Sequence, residues 1–269
     1  MADMTGKGPS EPLYALYAPN VNHSERFQAA LNTLSPLVKL DHIKAHLVLI
    51  GAFREALEKV DKFTGSFELT DALCSYLSRG VHRLHAWLTY VISTSADRST
   101  VQPQELPPLD VLLLFHAYLL RPHRFYEASI TTYPQLFAMG PFPLLQVVCC
   151  NLNLHILHSH FFAQAALIHP DTFEYNPTQE QKLHWEQCTG IPFDPTVYKH
   201  EVTDVEITCP VCKALFRVPW ENGGWGYGER AFSDICSSCR STVTHDRLCV
   251  AIFLAEIKAV TELNNGVIS

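Results

Sequence analysis

Four cysteines have the clearest capacity for chemistry in this sequence. They form two Cys-x-x-Cys pairs, Cys209 with Cys212 and Cys236 with Cys239, separated by residues 213–235. Each pair suits a tight turn that points two thiolates at one place, and two such turns complete tetrahedral coordination of Zn²⁺. The alternatives are rubredoxin-like iron and disulfides. Because four thiolates leave no open coordination position, the sequence predicts a structural zinc site.

The cysteine count and the N-terminus favour metal over disulfides. Nine cysteines are an odd number, and residues 1–7 lack the apolar segment of a secretory signal. This usage is typical of a reducing compartment, where paired Cys-x-x-Cys motifs bind metal more often than they form disulfides. We therefore expect an intracellular, cytoplasmic protein.

Histidines in predicted helices suggest a second site. His46 lies in the apolar stripe of the first helix, and His116 lies in a strongly apolar third helix that carries Asp110 in its first turn. If both histidines are buried and meet across a helix contact, they and Asp110 are candidate catalytic residues, or His46 and His116 hold a second metal ion. The alternative is structural: core histidines bonded to carbonyls, and an aspartate that complements the helix dipole. His155 and His158 form another pair, three residues apart, with the same two interpretations.

Apolar periodicity predicts the helices that position these residues. The first helix spans residues 37–63 with an apolar stripe that includes Ile43, Leu47 and Ile50. The other predicted helices span residues 73–92, 107–120, 144–168, 180–188 and 245–263. We expect residues 73–92 to bury their leucine and valine side, which includes Val81, and residues 245–263 to pack on the rest through Leu248, Ile252, Ala255 and Ala259.

The cysteine region predicts a small β structure. Residues 205–208 and 215–220 resemble strands, and a glycine-rich loop at residues 223–228 leads to a further strand near Phe232. The predicted fold class is therefore mainly α, a multi-helix bundle with a small C-terminal β zinc ribbon and a trailing helix. The predicted division is an N-terminal segment (1–36), a helical domain (37–200) and the ribbon with its helix (201–269).

Composition limits the function classes. The chain has 269 residues, of which 47% are hydrophobic and 17% charged, so a filled core is expected rather than disorder. A net charge of −7 argues against nucleic-acid binding, which needs clustered Lys and Arg. The longest apolar runs are too short to cross a bilayer, so no membrane association is expected.

Several stretches together resemble the glycine-rich-domain-containing-protein-like family, in its fungal branch. They are residues 40–57 (LDHIKAHLVLIGAFREAL), 106–124 (LPPLDVLLLFHAYLLRPHR), 185–195 (WEQCTGIPFDP) and the CPVC…CSSC region with its following helix. The chain departs from the family pattern at Phe115, where Trp is usual, and in the turn at residues 121–123. The resemblance implies a helical domain followed by a four-cysteine zinc ribbon, in small intracellular proteins of which some belong to specialised metabolism.

The sequence leaves three functions open. The first is a module that binds an apolar small molecule or a partner protein, and in which the zinc ion only stabilises the fold. The second is a metal-dependent or acid–base enzyme of lyase or cyclase type, acting on an apolar metabolite through His46 and His116. The third, a nucleic-acid-binding ribbon, is disfavoured by the acidic charge. No phosphate-binding loop is present, because the glycines of residues 224–228 do not lie between a strand and a helix.

Overall fold

The computed structural model describes residues 40–61, 70–92, 101–138, 144–148 and 167–266. Within these ranges the helices are α1 (Leu40–Val60), α2 (Asp71–Ala86), α3 (Leu109–Leu119), α4 (Pro122–Thr131), α5 (Gln135–Ala138), α6 (Leu144–Val147), α7 (Gln179–Thr189), α8 (Pro195–Glu201) and α9 (His245–Gly266). The strands are β1 (Asp204–Thr208), β2 (Leu215–Pro219), β3 (Ser233–Ile235) and β4 (Thr242–Thr244). The predicted fold class is confirmed: the protein is mainly helical, with short antiparallel strands and a trailing helix. His155 and His158 lie outside the described residues.

Local sequence signals set several helix ends. Thr178 accepts a hydrogen bond from the amide of Gln181, whose side chain accepts one from the amide of Thr178, so α7 begins with a capping box. Gly190 ends α7 with a φ of 66°, a conformation that glycine adopts without strain. Asp194 caps α8, and Pro195 occupies its first turn.

The helical core is built around two aromatic rings from consecutive elements. Trp87 begins a π-helical turn (Trp87–Ile92) that continues α2, and Phe115 lies in α3. Both side chains are buried, and their rings meet edge to face at 5.1 Å. The Trp87 indole N–H donates to the carbonyl of Glu105, so its polar atom is satisfied inside the core.

The predicted apolar stripe of α1 was largely wrong. The buried residues of this helix are Ala45, Leu49, Ala52 and Phe53. Ile43, Leu47 and Ile50 are exposed. Two adjoining faces of α1 carry apolar residues at helical spacing, and the core takes the one with alanines, which allow close approach of the neighbouring helices.

The prediction that the helix at residues 73–92 buries its leucine and valine side was confirmed in part. Leu88 and Val91 are buried in the core, and Leu84 packs against it. Val81 is 55% exposed, whereas Ser75, Arg79 and Arg83 are buried. This helix therefore turns a polar face inward. Such burial requires partners for each charge, because an unpaired buried charge is strongly destabilising.

Arg83 receives those partners from α3 and from the connection between α7 and α8. Its side chain is fully buried, and its Nε lies 2.7 Å from Oδ2 of Asp110 in α3, a charge contact whose N–H does not point at the oxygen. Nη1 donates to the carbonyl of Pro192 at 2.7 Å, and Nη2 donates to the carbonyl of Phe193 at 2.6 Å. The guanidinium also lies against the rings of Trp185 and Tyr198. One side chain thereby joins α2, α3 and the connection between α7 and α8.

Removal of this guanidinium should be strongly destabilising. Arg83→Ala leaves the Asp110 carboxylate buried without its partner, so we expect a loss of about 3–5 kcal/mol in the free energy of unfolding, measured by urea denaturation. Arg54→Ala is the matched control, since Arg54 pairs with Glu58 at an exposed position, where an ion pair contributes little, so the free energy of unfolding should change much less than in Arg83→Ala. Equal effects of the two substitutions would contradict the central role of Arg83.

Candidate metal centre

Each cysteine pair closes a two-stranded antiparallel hairpin. β1 pairs with β2 around residues 209–214, and β3 pairs with β4 around residues 236–241. In both turns the first cysteine donates its amide to a carbonyl five residues later: Cys209 to Ala214 and Cys236 to Ser241, each at 2.9 Å. In both turns the residue after the second cysteine, Lys213 or Arg240, donates back to the first cysteine's carbonyl. The two turns are thus the same structure used twice.

The four sulfurs meet at one point. Their Sγ atoms all lie within 4.8 Å of one another, and two of the separations, Cys209 to Cys239 and Cys212 to Cys236, are 3.7 Å. A disulfide needs about 2.05 Å, so these pairs are not bonded. A tetrahedron with metal–sulfur bonds of about 2.3 Å has edges of about 3.8 Å, which matches the observed separations. The cluster could hold a metal ion, as the spacing predicted.

The surroundings favour a thiolate at two of the four cysteines, Cys209 and Cys239. Hydrogen bonds from the backbone amides of Cys212 and Val211 lower the pKa of Cys209 to about 6, against the opposing effect of burial. The Ser241 side chain, followed by its amide, lowers the pKa of Cys239, and its Oγ lies 2.8 Å from that sulfur. Deprotonated sulfur is the form that binds metal. Despite a hydrogen bond from the backbone of Ala214, burial and the contacts with the other three sulfurs raise the pKa of Cys212 to about 12, so a metal ion would have to displace its proton.

The ribbon around the sulfurs has a small apolar core. It consists of Val205, Ile207, Val218, Trp220, Phe232, Val243 and two of the cysteines, Cys209 and Cys236. A core of this size stabilises a fold only weakly, so a metal ion would supply stability that the side chains lack. Leu248 in α9 packs against this core, but Ile252 is 61% exposed, so the predicted packing of α9 through Ile252 was wrong.

The glycine-rich loop is a structural part of the ribbon. The buried carboxylate of Glu229 accepts hydrogen bonds from the amides of Asn222 and Gly226. Burial alone would raise the pKa of Glu229, but these amides outweigh that effect and keep the pKa below its usual range. A side chain at Gly226 would meet the carbonyl of Trp220 at 2.6 Å, so only glycine fits there.

The ribbon docks on the polar face of α2. The Ser75 hydroxyl donates to Glu221 at 2.8 Å, and Arg79 Nη1 donates to the carbonyl of Val202 at 2.7 Å. The Arg79 guanidinium lies 5.0 Å from the Trp220 ring centroid. The sequence analysis did not predict that this face is buried. The signal was present, because Ser75, Arg79, Arg83 and Ala86 recur at helical spacing, but arginine was not considered as a buried residue.

The predicted histidine contact is present. The Nε2 atoms of His46 and His116 lie 2.8 Å apart, where α1 crosses α3. His116 is half-buried, but His46 is exposed, so its predicted burial was wrong; it lies at the edge of the outer face of α1. Burial and the nearby charge of His46 lower the pKa of His116, which favours a neutral imidazole there.

Asp110 has a different environment from the two histidines. Its carboxylate contacts Arg83 rather than an imidazole. Among the described residues, the four cysteines are the one group of three or more His, Cys, Asp or Glu side chains whose ligand atoms lie within 4.8 Å. The structure thus brings two of the three proposed catalytic residues together, and it gives Asp110 a structural partner.

Comparisons with known proteins give no further guide to the site. No family model, no curated protein and no solved structure matches this chain. Within the described residues, none of the helices combines the length and apolar character that a membrane span needs.

The repeated turn gives a test of the backbone geometry. Arg240 has a φ of 61°, which strains a residue with a side chain. Arg240→Gly should therefore raise the unfolding free energy of the metal-loaded protein by about 0.5–1 kcal/mol, measured by thermal denaturation. Ser238→Gly in the same turn is the control, because Ser238 has no positive φ and glycine should be neutral or destabilising there. Destabilisation by Arg240→Gly would show that the turn has another conformation in solution.

Proposed function

We propose that this protein is a binding module in which a zinc ion, held by Cys209, Cys212, Cys236 and Cys239, has a structural role. The observation that supports this role is the set of four sulfurs at tetrahedral separations, which leaves no coordination position for water or substrate. The thiols suit a reducing, cytoplasmic environment. The net charge of −7 argues against nucleic acid as the partner.

The bound molecule in this proposal is an apolar small molecule. A groove of about 640 Å³ runs between the first cysteine turn and α9. Six of its ten lining residues are apolar, namely Pro210, Val211, Val250, Ala251, Leu254 and Ala255, and the other four are the charged residues Lys213, Asp246, Arg247 and Lys258. This volume is within the range of about 300–1,000 Å³ that is usual for ligand sites. Val250 and Leu254 are 56% and 58% exposed, so they have apolar surface that a ligand would cover.

An enzyme that uses His46 and His116 is the second candidate. The observation that favours it is the 2.8 Å separation of the two Nε2 atoms, which suits a hydrogen bond and proton sharing. A metal ion held by both imidazoles would need these nitrogens to move to about 3.3 Å apart. We also propose that the chain is related to the glycine-rich-domain-containing-protein-like family, which it resembles in sequence. That relationship would place the protein in specialised metabolism.

Metal analysis distinguishes the two candidates. A structural site predicts about one zinc per purified chain, lost in Cys209→Ser and Cys236→Ser but retained in Cys249→Ser, a control at an exposed cysteine outside the cluster. Chelation should unfold the ribbon and change Trp220 fluorescence.

Other stoichiometries would contradict the first proposal. A second metal equivalent that disappears in His46→Ala would favour the enzyme. A chain with no metal and oxidised cysteines would rule out the zinc site altogether.

The groove can be tested with the neutral apolar dye Nile red. We expect Leu254→Asp to weaken dye binding about tenfold, because a carboxylate covered by the dye loses its hydration. Leu183→Asp, at a leucine on α7 that is 49% exposed, should leave dye affinity unchanged. The groove is the wrong site if the two variants bind the dye alike, as measured by fluorescence titration of the zinc-loaded protein.

A further inference from the structure

A polar recess lies between α2, α8 and the start of the glycine-rich loop. Its volume is about 250 Å³, and it is separate from both the cysteine cluster and the apolar groove. Its lining includes Ser75, Tyr76 and Arg79 of α2, Lys199 of α8, and Glu221, which follows β2. Lys59, near the end of α1, also belongs to the lining.

The lining carries more positive than negative charge. Four of its side chains are cations, namely Lys59, Arg79, Arg83 and Lys199, and two are carboxylates, Asp110 and Glu221. Each carboxylate has a close cation: Arg83 lies 2.7 Å from Asp110, and Lys199 lies 2.9 Å from Glu221. Arg79 lies 4.0 Å from the same Glu221 carboxylate, so Lys199 and Arg79 share it. Four cations and two carboxylates give the lining a formal charge of +2, in a chain whose net charge is −7.

Arg79 is a buried cation whose orientation is fixed at the edge of the recess. It is only 6% exposed, and its guanidinium is fixed beside the Trp220 ring by the hydrogen bond to the Val202 carbonyl. Its closest carboxylate oxygen, on Glu221, is 4.0 Å away, which is too long for a hydrogen bond. Within the part of the chain that the structure describes, its Nε has no hydrogen-bond partner. Because this Nε is enclosed by protein, an anion in the recess would be attracted by the charge of the guanidinium rather than bond to this atom.

Tyr76 adds a neutral donor. Burial, followed by the charge of Asp110, raises the pKa of the Tyr76 hydroxyl well above its usual range. It therefore stays protonated at physiological pH and can donate to an anion. A guanidinium, an ammonium group and a hydroxyl are the usual donors to phosphate oxygens.

We propose that this recess binds the phosphate group of a small molecule through Arg79, Lys59 and Tyr76. The recess is smaller than the sites that enclose drug-sized ligands, so the bound part is small. Both carboxylates of the lining already contact a cation, which reduces their repulsion of a phosphate group. This site goes beyond the proposed apolar groove, because it selects a charged group at a different place in the fold.

Inorganic phosphate is the probe that tests the site. The zinc-loaded full chain should show saturable phosphate binding by calorimetry, and a rise in melting temperature relative to potassium chloride of equal ionic strength. Arg79 also anchors the ribbon, so its replacement would confuse binding with folding. Lys59→Ala and Tyr76→Phe avoid this problem, and each should weaken phosphate affinity about tenfold while leaving the melting temperature in chloride unchanged.

Lys44→Ala is the matched control, since Lys44 is exposed on α1 and does not line the recess. It should bind phosphate like the unchanged protein. The proposal is overturned if phosphate gives no saturable signal at about 10 mM. It is equally overturned if Lys59→Ala and Tyr76→Phe bind as tightly as Lys44→Ala.

Discussion

The burial of one guanidinium is the constraint on which the rest of the helical body depends. Arg83 has no exposed surface, and the elements around it are placed so that Asp110 and the carbonyls of Pro192 and Phe193 all reach it. A charge so far from water is tolerated only when its partners are rigidly placed. The contact therefore fixes the position of α3 and of the connection between α7 and α8 relative to α2. An apolar side chain at this position could pack against its neighbours in many relative positions of the helices. The guanidinium is compatible with only those few in which its partners reach it.

The ribbon is attached through the same face of α2, one and two turns earlier. Ser75 and Arg79 contact Glu221 and Val202, so the helix that organises the body also positions the four-sulfur centre. The two parts are stabilised differently. The body has a large apolar core, while the ribbon has a small one and relies on the chemistry of its cysteines. The division at residue 200 stays a prediction, although the two buried clusters lie on either side of it.

The sequence was informative where local spacing determines the structure. The spacing of the two Cys-x-x-Cys pairs predicted their convergence, and the helices predicted at 37–63, 107–120, 180–188 and 245–263 formed close to those bounds. The helix predicted at 144–168 did not: within the described residues α6 ends at Val147, and Ile168 lies in a β-bridge with Tyr175. The sequence was less informative where two helix faces compete for burial. Ile43 and Leu47 on α1 and Ile252 on α9 are exposed because periodicity identifies an apolar face without identifying its partner. Arg79 and Arg83 were missed for the converse reason, since a polar residue is buried only through partners that are distant in sequence.

The four-cysteine site and the recess depend on the same part of the ribbon, so binding at one site should affect binding at the other. Glu221 follows β2 and forms part of the recess wall, and the Val202 carbonyl that orients Arg79 lies just before β1. Both positions depend on the hairpin that the first cysteine turn closes. A metal ion that orders this hairpin also orders one wall of the recess, so a ligand in the recess must in turn favour the metal-bound form. This reciprocity needs no direct contact between the recess and the sulfurs. It is enough that a ligand in the recess and a metal ion at the sulfurs both stabilise the same folded ribbon.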